Sequence, residues 1–206
     1  MSSENMIIGI DGCGNGAWCG PLVVAAVALP EDAVIKGVRD SKKVSAYRRA
    51  DLDPIIRERA LHWVIVQSSA SQIDQYGLAA CENAAMLVCA QRCLERAPGA
   101  QVIVDGTRHI RGLKANQKAI AKADDLFMAV SAASIIAKLH RDRWMMTLAA
   151  EYPLYDLHSC KGYGTKVHGI CLRKHGPCPE HRMSYAPVAT AAKEMHRPLV
   201  AIKAGE

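Results

Sequence analysis

Three aspartates each close a short apolar run. Asp11 follows Ile7-Ile8-Gly9-Ile10, Asp105 follows Val102-Ile103-Val104, and Asp124 follows Ala119-Ile120-Ala121-Lys122-Ala123. Carboxylates delivered by neighbouring strand ends converge at a sheet edge, where they repel one another unless a cation sits between them. Their hard oxygens suit Mg²⁺ or Mn²⁺, and a pair of such ions suits phosphodiester hydrolysis, activating water and stabilising the leaving oxygen. Singly, each aspartate is an ordinary turn or cap residue, so the pattern needs support from elsewhere. Asp11 also opens the segment Asp11-Gly12-Cys13-Gly14-Asn15-Gly16. Gly14 and Gly16 let backbone N–H groups come close to a ligand's oxygens. The segment lacks both the Gly-Lys-Ser/Thr of a phosphate-binding loop and the Gly-x-Gly-x-x-Gly of a dinucleotide fold.

Other reactive side chains have quieter explanations. Cys81, Cys89 and Cys93 fall at helical spacing in an apolar stretch and are expected as buried free thiols. The C-terminal part holds His158, Cys160, His168, Cys171, His175, Cys178 and His181. That composition invites zinc, but without a Cys-x-x-Cys pair the zinc reading is set aside. Ser134 has no base near it in sequence and is expected to pack a helix rather than act as a nucleophile. Asp142, between Arg141 and Arg143, is expected in a structural ion pair.

The elements that must position these residues follow from periodicity. Strands are expected over Met6–Asp11, Leu22–Leu29, His62–Gln67 and Gln101–Val104, with a further strand over Lys118–Lys122 delivering Asp124. Helices are expected over Ala46–Arg59, capped by Ser45 and open to a break at Pro54, and over Leu78–Arg96, ended by Pro98-Gly99. Further helices are expected over Phe127–Ala150, as one or two pieces, and over Lys166–Lys174. Strands first, then alternating helices and strands, define an α/β domain with a mixed sheet.

With 206 residues, half of them apolar, and a mean hydropathy of zero, the chain supports one sizeable core and excludes a disordered one. The run Pro21–Pro30 is too short to span a bilayer, and the first five residues carry no basic n-region. A cytoplasmic, monomeric protein is the expectation. The net charge of +6 fits a polyanionic partner without proving one. From Lys161 onward eight lysines and arginines meet only Glu180, Glu194 and Glu206.

Taken together, several ordered motifs resemble the ribonuclease HII family. Gly9-Ile10-Asp11-Gly12-Cys13-Gly14-Asn15-Gly16 followed by Gly20-Pro21 resembles its opening strand, Asp-Glu-Ala-Gly-Arg-Gly and Gly-Pro. Asp40-Ser41-Lys42-Lys43-Val44, Val104-Asp105-Gly106 and Lys122-Ala123-Asp124 match its later motifs. So do Ala133-Ser134-Ile135-Ile136-Ala137-Lys138, Lys161-Gly162-Tyr163-Gly164-Thr165 and His181-Arg182-Met183-Ser184-Tyr185. The resemblance implies a ribonuclease H-like fold: a central mixed sheet flanked by helices over residues 1–188, with a small helical C-terminal extension over 189–206. It implies an endonuclease that cuts RNA in RNA/DNA hybrids and incises at ribonucleotides embedded in duplex DNA, leaving 3′-hydroxyl and 5′-phosphate ends. Asp11, Asp105 and Asp124 would then be catalytic residues that hold Mg²⁺ or Mn²⁺. Gly14, Asn15 and Gly16 would contact the substrate, the two glycines at the ribose 2′-hydroxyl. Tyr163 would pack on sugar or base, and Lys42 and Lys43 would meet phosphates.

Two positions depart from the family pattern. Gly12 stands where the family has its second acidic ligand, and Asn15 replaces the arginine between the glycines. Losing a carboxylate weakens the hold on the metal, and one lost electrostatic element costs on the order of 10²–10³ in rate in other enzymes. The alternative expectation is therefore a weakened homologue that binds hybrid or ribonucleotide-containing duplex without efficient cleavage. The retained aspartates favour the enzyme.

Overall fold

The computed structural model describes residues 5–38 and 44–195, so Lys42 and Lys43 lie outside the described residues. Strands β1 (Met6–Cys13), β2 (Leu22–Pro30), β3 (His62–Ser68), β4 (Gln101–Asp105) and β5 (Gln117–Ile120) form one sheet in the order β3-β2-β1-β4-β5. The first three run antiparallel as a meander, whereas β4 and β5 lie parallel to β1. The sheet is mixed, as the alternation of elements predicts. Around it lie helices α1 (Ala46–Arg59), α2 (Ala70–Tyr76), α3 (Leu78–Arg96), α4 (Met128–Glu151), α5 (Leu157–Cys160), α6 (Lys166–His175) and α7 (Ala186–Met195).

Helices cover both faces of the sheet, which explains why β2 is apolar from Leu22 to Leu29 rather than alternating. One face sets Ile7, Val23, Val27 and Ile103 against Val130, Ala133 and Ile136 of α4. The opposite face sets Ile8, Ile10, Val102 and Val104 against Ala85, Cys89 and Cys93 of α3. Each fully buried isoleucine or valine contributes about 1.5–3 kcal/mol. Cys81, Cys89 and Cys93 are buried free thiols, as their spacing predicts, and burial pushes Cys89 and Cys93 up to about 12, so both stay protonated.

Where α4 crosses β1 the contact is unusually close. A Cβ on Gly9 would lie 2.2 Å from the backbone of Ala129 and Val130. Only glycine admits the helix start to the strand, and that approach sets α4 over the end of β1.

Several elements differ from the sequence expectation. Helix α1 is continuous through Pro54, because Leu52 and Ile56 on either side are anchored in the core. Helix α4 is one piece. Helix α2, closed by a Ser69–Gln72 capping box, is too short to show a periodicity. Asp124 is delivered not by a strand but by a single 3₁₀ turn, Ala123–Asp125, after β5 ends at Ile120. The boundary expected after residue 188 falls inside α7, whose Val188 and Ala191 are buried with Leu172 of α6. Among the described residues no helix is long and apolar enough to cross a membrane.

Candidate active site

The parallel pairing of β1 and β4 aligns Ile10 with Val104. Asp11 and Asp105 come one residue later on each strand, so they stand side by side at the carboxyl edge of the sheet. Side chains alternate along a strand. Ile10 and Val104 face α3, which turns the two aspartates to the α4 side. There Asp105 accepts from the Ala123 amide at 2.9 Å, tying β4 to the 3₁₀ turn that carries Asp124. Ser131, in the first turn of α4, donates its hydroxyl to the Asp124 carbonyl and fixes that turn from the other end.

Asp11 is the centre of the cluster. It accepts from the Gly12 amide at 2.7 Å and from the side chain of Ser134 on α4. Burial nonetheless pushes its carboxyl up to about 6, and the negative charges of Asp105 and Asp124 push in the same direction against those two hydrogen bonds. A buried carboxylate that resists ionisation and feels the charge of two more fits a divalent hard cation. Ser134 is a helix-packing residue, as its sequence setting predicts, and it also orients Asp11. Its place one helical turn after Ser131, with both on the buried side of α4, was the available signal.

On the opposite face of β1, Gly12 presents no side chain. A Cβ there would point to the α3 side, 3.3 Å from Val24 Cγ2. Beside α3 lies a cleft of about 570 Å³ lined by Asn15, Glu82, Asn83, Asp105, Arg108 and His109. Glu82, from α3, accepts from the Asn15 side-chain amide at 2.6 Å and lies 4.0 Å from Arg108. Sequence reasoning missed this carboxylate, because it stands in a helix rather than at a strand end. Asp125 follows Asp124 in the same 3₁₀ turn, whereas Asp156 precedes α5 in a left-handed conformation.

The glycine segment and the Tyr163 loop meet beside the cluster. Ala17 bridges to Tyr163, and the Gly162 carbonyl accepts from the amides of Trp18 at 2.8 Å and Cys19 at 3.2 Å. Gly14 has a φ of 95°, and a Cβ there would lie 2.4 Å from Arg141 Nε, so the turn requires glycine. Gly16 is exposed with open space above it. Two fully buried arginines hold this backbone through carbonyl oxygens. Arg141 donates to Pro21, Lys161 and Cys19; Arg182 donates to Gly20 and Asn15 and to the Tyr185 hydroxyl. The Arg141 guanidinium also stands 5.1 Å from the Tyr163 ring centroid. Asp142 pairs with Arg49 at 3.1 Å and with Lys138, the structural role its neighbours predict.

An antiparallel meander extended by two parallel strands, with carboxylates gathered at its central edge, defines a ribonuclease H-like α/β domain. A family model described as Ribonuclease HII matches residues 8–188. The Ribonuclease HII of Albidiferax ferrireducens is 42% identical over 191 residues, covering 92% of this chain and 90% of that one. That of Verminephrobacter eiseniae is 44% identical over 188 residues, covering 90% and 88%. Among solved structures, the ribonuclease H2 from Pyrococcus horikoshii OT3 superposes with a TM-score of 0.73 at 22% identity, covering 94% of this chain and all of that one. A chain from the PCNA:RNase HII complex of Archaeoglobus fulgidus gives a TM-score of 0.71 at 28% identity, covering 94% and 98%. The chain belongs to the ribonuclease HII family.

Proposed function

We propose that this chain is a divalent-metal-dependent endoribonuclease that hydrolyses the RNA strand of RNA/DNA hybrids and incises at ribonucleotides embedded in duplex DNA. The products carry 3′-hydroxyl and 5′-phosphate ends. The observation that carries this reading is the buried Asp11 carboxyl, whose proton affinity is raised first by burial and then by the charges of Asp105 and Asp124. Asp11, Asp105 and Asp124 would hold Mg²⁺ or Mn²⁺. The chemistry such ions supply when bound is neutralisation of the scissile phosphate and a lower cost of ionising water. Glu82, reaching the cleft from α3, offers the carboxylate that Gly12 does not.

The remaining residues bind and orient. Backbone groups at Gly14 and Gly16 meet the ribose 2′-hydroxyl, the group that separates RNA from DNA. Asn15, held by Glu82, keeps a hydrogen-bonding amide at the cleft without adding charge. Tyr163 packs on sugar or base, backed by the Arg141 guanidinium. Arg108, His109 and Arg111 line the cleft and suit backbone phosphates, as do Lys42 and Lys43. Every one of these residues comes from one chain, so a monomer suffices.

Gly12 favours the second reading, binding without efficient cleavage. A duplex holding one ribonucleotide, incubated with the protein and Mg²⁺ or Mn²⁺, decides between them. Cleavage beside the ribonucleotide, abolished by Asp11→Asn, is the expected result. Retained binding with no cleavage above the Asp11→Asn background would refute the enzyme.

A further inference from the structure

Away from the aspartates, three buried side chains from distant parts of the sequence aim ligand atoms at one point. The sulfurs of Cys19 and Cys178 and a ring nitrogen of His181 all lie within 4.8 Å of one another. From this geometry we infer that Cys19, Cys178 and His181 form a structural zinc site that clamps the Cys178–His181 turn to the segment after Gly16. The inference is independent of the cleavage reaction and of the metal at the aspartates.

Cys178-Pro179-Glu180-His181 places its two ligands three positions apart in a tight turn, closed by the His181 amide donating to the Cys178 carbonyl at 3.0 Å. This short spacing lets both face one ion. The absence of a Cys-x-x-Cys pair argued against zinc in the sequence; the structure brings in Cys19 as the distant partner instead. Cys19 and His181 are themselves paired by an isolated β-bridge.

The histidine is already in the right tautomer. Nδ1 of His181 accepts from the Cys178 amide at 3.0 Å and lies 3.1 Å from the Cys178 sulfur, so it carries no proton and would exchange the amide for an ion. The proton therefore sits on Nε2, 3.0 Å from Nε2 of His168, and His168 in turn donates from Nδ1 to the Tyr163 carbonyl at 2.9 Å. A metal-binding histidine characteristically donates its other ring N–H to such a partner, which fixes ring and tautomer. Here that chain ends on the substrate-binding loop.

Zinc binds the thiolate form of both cysteines, so loading the site releases their protons. Cys160, a further buried thiol of the same cluster, is the candidate for the fourth position.

The test uses the whole chain, purified under reducing conditions with any affinity tag removed, and reads metal content by elemental analysis. One zinc per chain is expected, retained in Asp11→Asn and lost in Cys178→Ser. Because Cys178→Ser alters a buried side chain, the wild-type protein is also stripped with a chelator and titrated with Co²⁺. Thiolate-to-cobalt charge-transfer absorption, displaced by one equivalent of Zn²⁺, is expected, since aspartate ligands cannot produce it. Stripping should also lower the melting temperature and raise KM for ribonucleotide-containing duplex more than it lowers kcat. Absence of zinc together with absence of the charge-transfer band overturns the site, as does a Cys19–Cys178 disulfide in the protein as purified.

Discussion

Replacing Asp11 by asparagine should stabilise the metal-free protein, although it destroys the proposed catalytic centre. In the folded chain the Asp11 carboxyl titrates at about 6 instead of 3.8, chiefly because burial disfavours its charge. The folded state therefore holds this proton more tightly than the unfolded chain does. Asp11's contribution to stability is fully present below pH 3.8 and is lost as the pH rises through 6. That interval corresponds to about 3 kcal/mol. Asp11 keeps an edge open to solvent, so screening reduces the usable figure to about 1.5 kcal/mol. For a chain of this size that equals a rise of about 3–6 °C in melting temperature. Asparagine is isosteric and keeps an oxygen for Ser134 and the Gly12 amide, so the substitution removes charge and little else. Thermal melts of both proteins with the catalytic metals chelated, at pH 8 and pH 4, provide the assay. Asp11→Asn should melt higher at pH 8, and the two curves should converge toward pH 4. Millimolar Mg²⁺ or Mn²⁺ should then raise the wild-type melting temperature at pH 8 and leave the variant nearly unchanged. A variant no more stable at pH 8, or a gap that persists at pH 4, refutes the claim that crowded, buried carboxylates prepare the site for a cation.

Three further outcomes follow from the same geometry. Glu82→Gln should lower kcat by about 10²-fold and weaken Mn²⁺ binding measured calorimetrically; adding Gly12→Glu should restore much of both, because a side chain at residue 12 would point to the α3 side, from which Glu82 comes. No loss in Glu82→Gln would remove that glutamate from the site. Gly14→Ala puts a Cβ 2.4 Å from Arg141 and 2.8 Å from the Pro21 carbonyl at a φ of 95°, so denaturant melts should show a loss of about 2–4 kcal/mol. Tyr163→Ala, which touches no carboxylate of the cluster, should raise KM for a single-ribonucleotide duplex about tenfold, in line with one lost stacking contact, with metal affinity unchanged in the same titration.

The family, the mixed α/β sheet and most element positions are legible in the sequence, because these are written locally. Apolar runs mark β1, β2 and β4; the Ser45 and Pro98-Gly99 signals bound α1 and α3; ordered motifs name the aspartates. It also marked Gly12 as a departure. What tertiary structure alone decided lies in contacts between segments far apart in the chain. Gly9 looked like one more strand residue until α4 was found against it. Asp124 arrives from a 3₁₀ turn, a placement that hangs on the Ala123–Asp105 and Ser131–Asp124 hydrogen bonds rather than on any periodicity. Glu82 lies on α3, seventy residues from Gly12 in sequence, yet stands on the side of the sheet to which a Cβ at residue 12 would point. Cys19 and Cys178 have no spacing that a local motif could register. Local patterns record what a segment prefers; convergence at a site depends on how strands register and how closely helices cross them, and only packing fixes that.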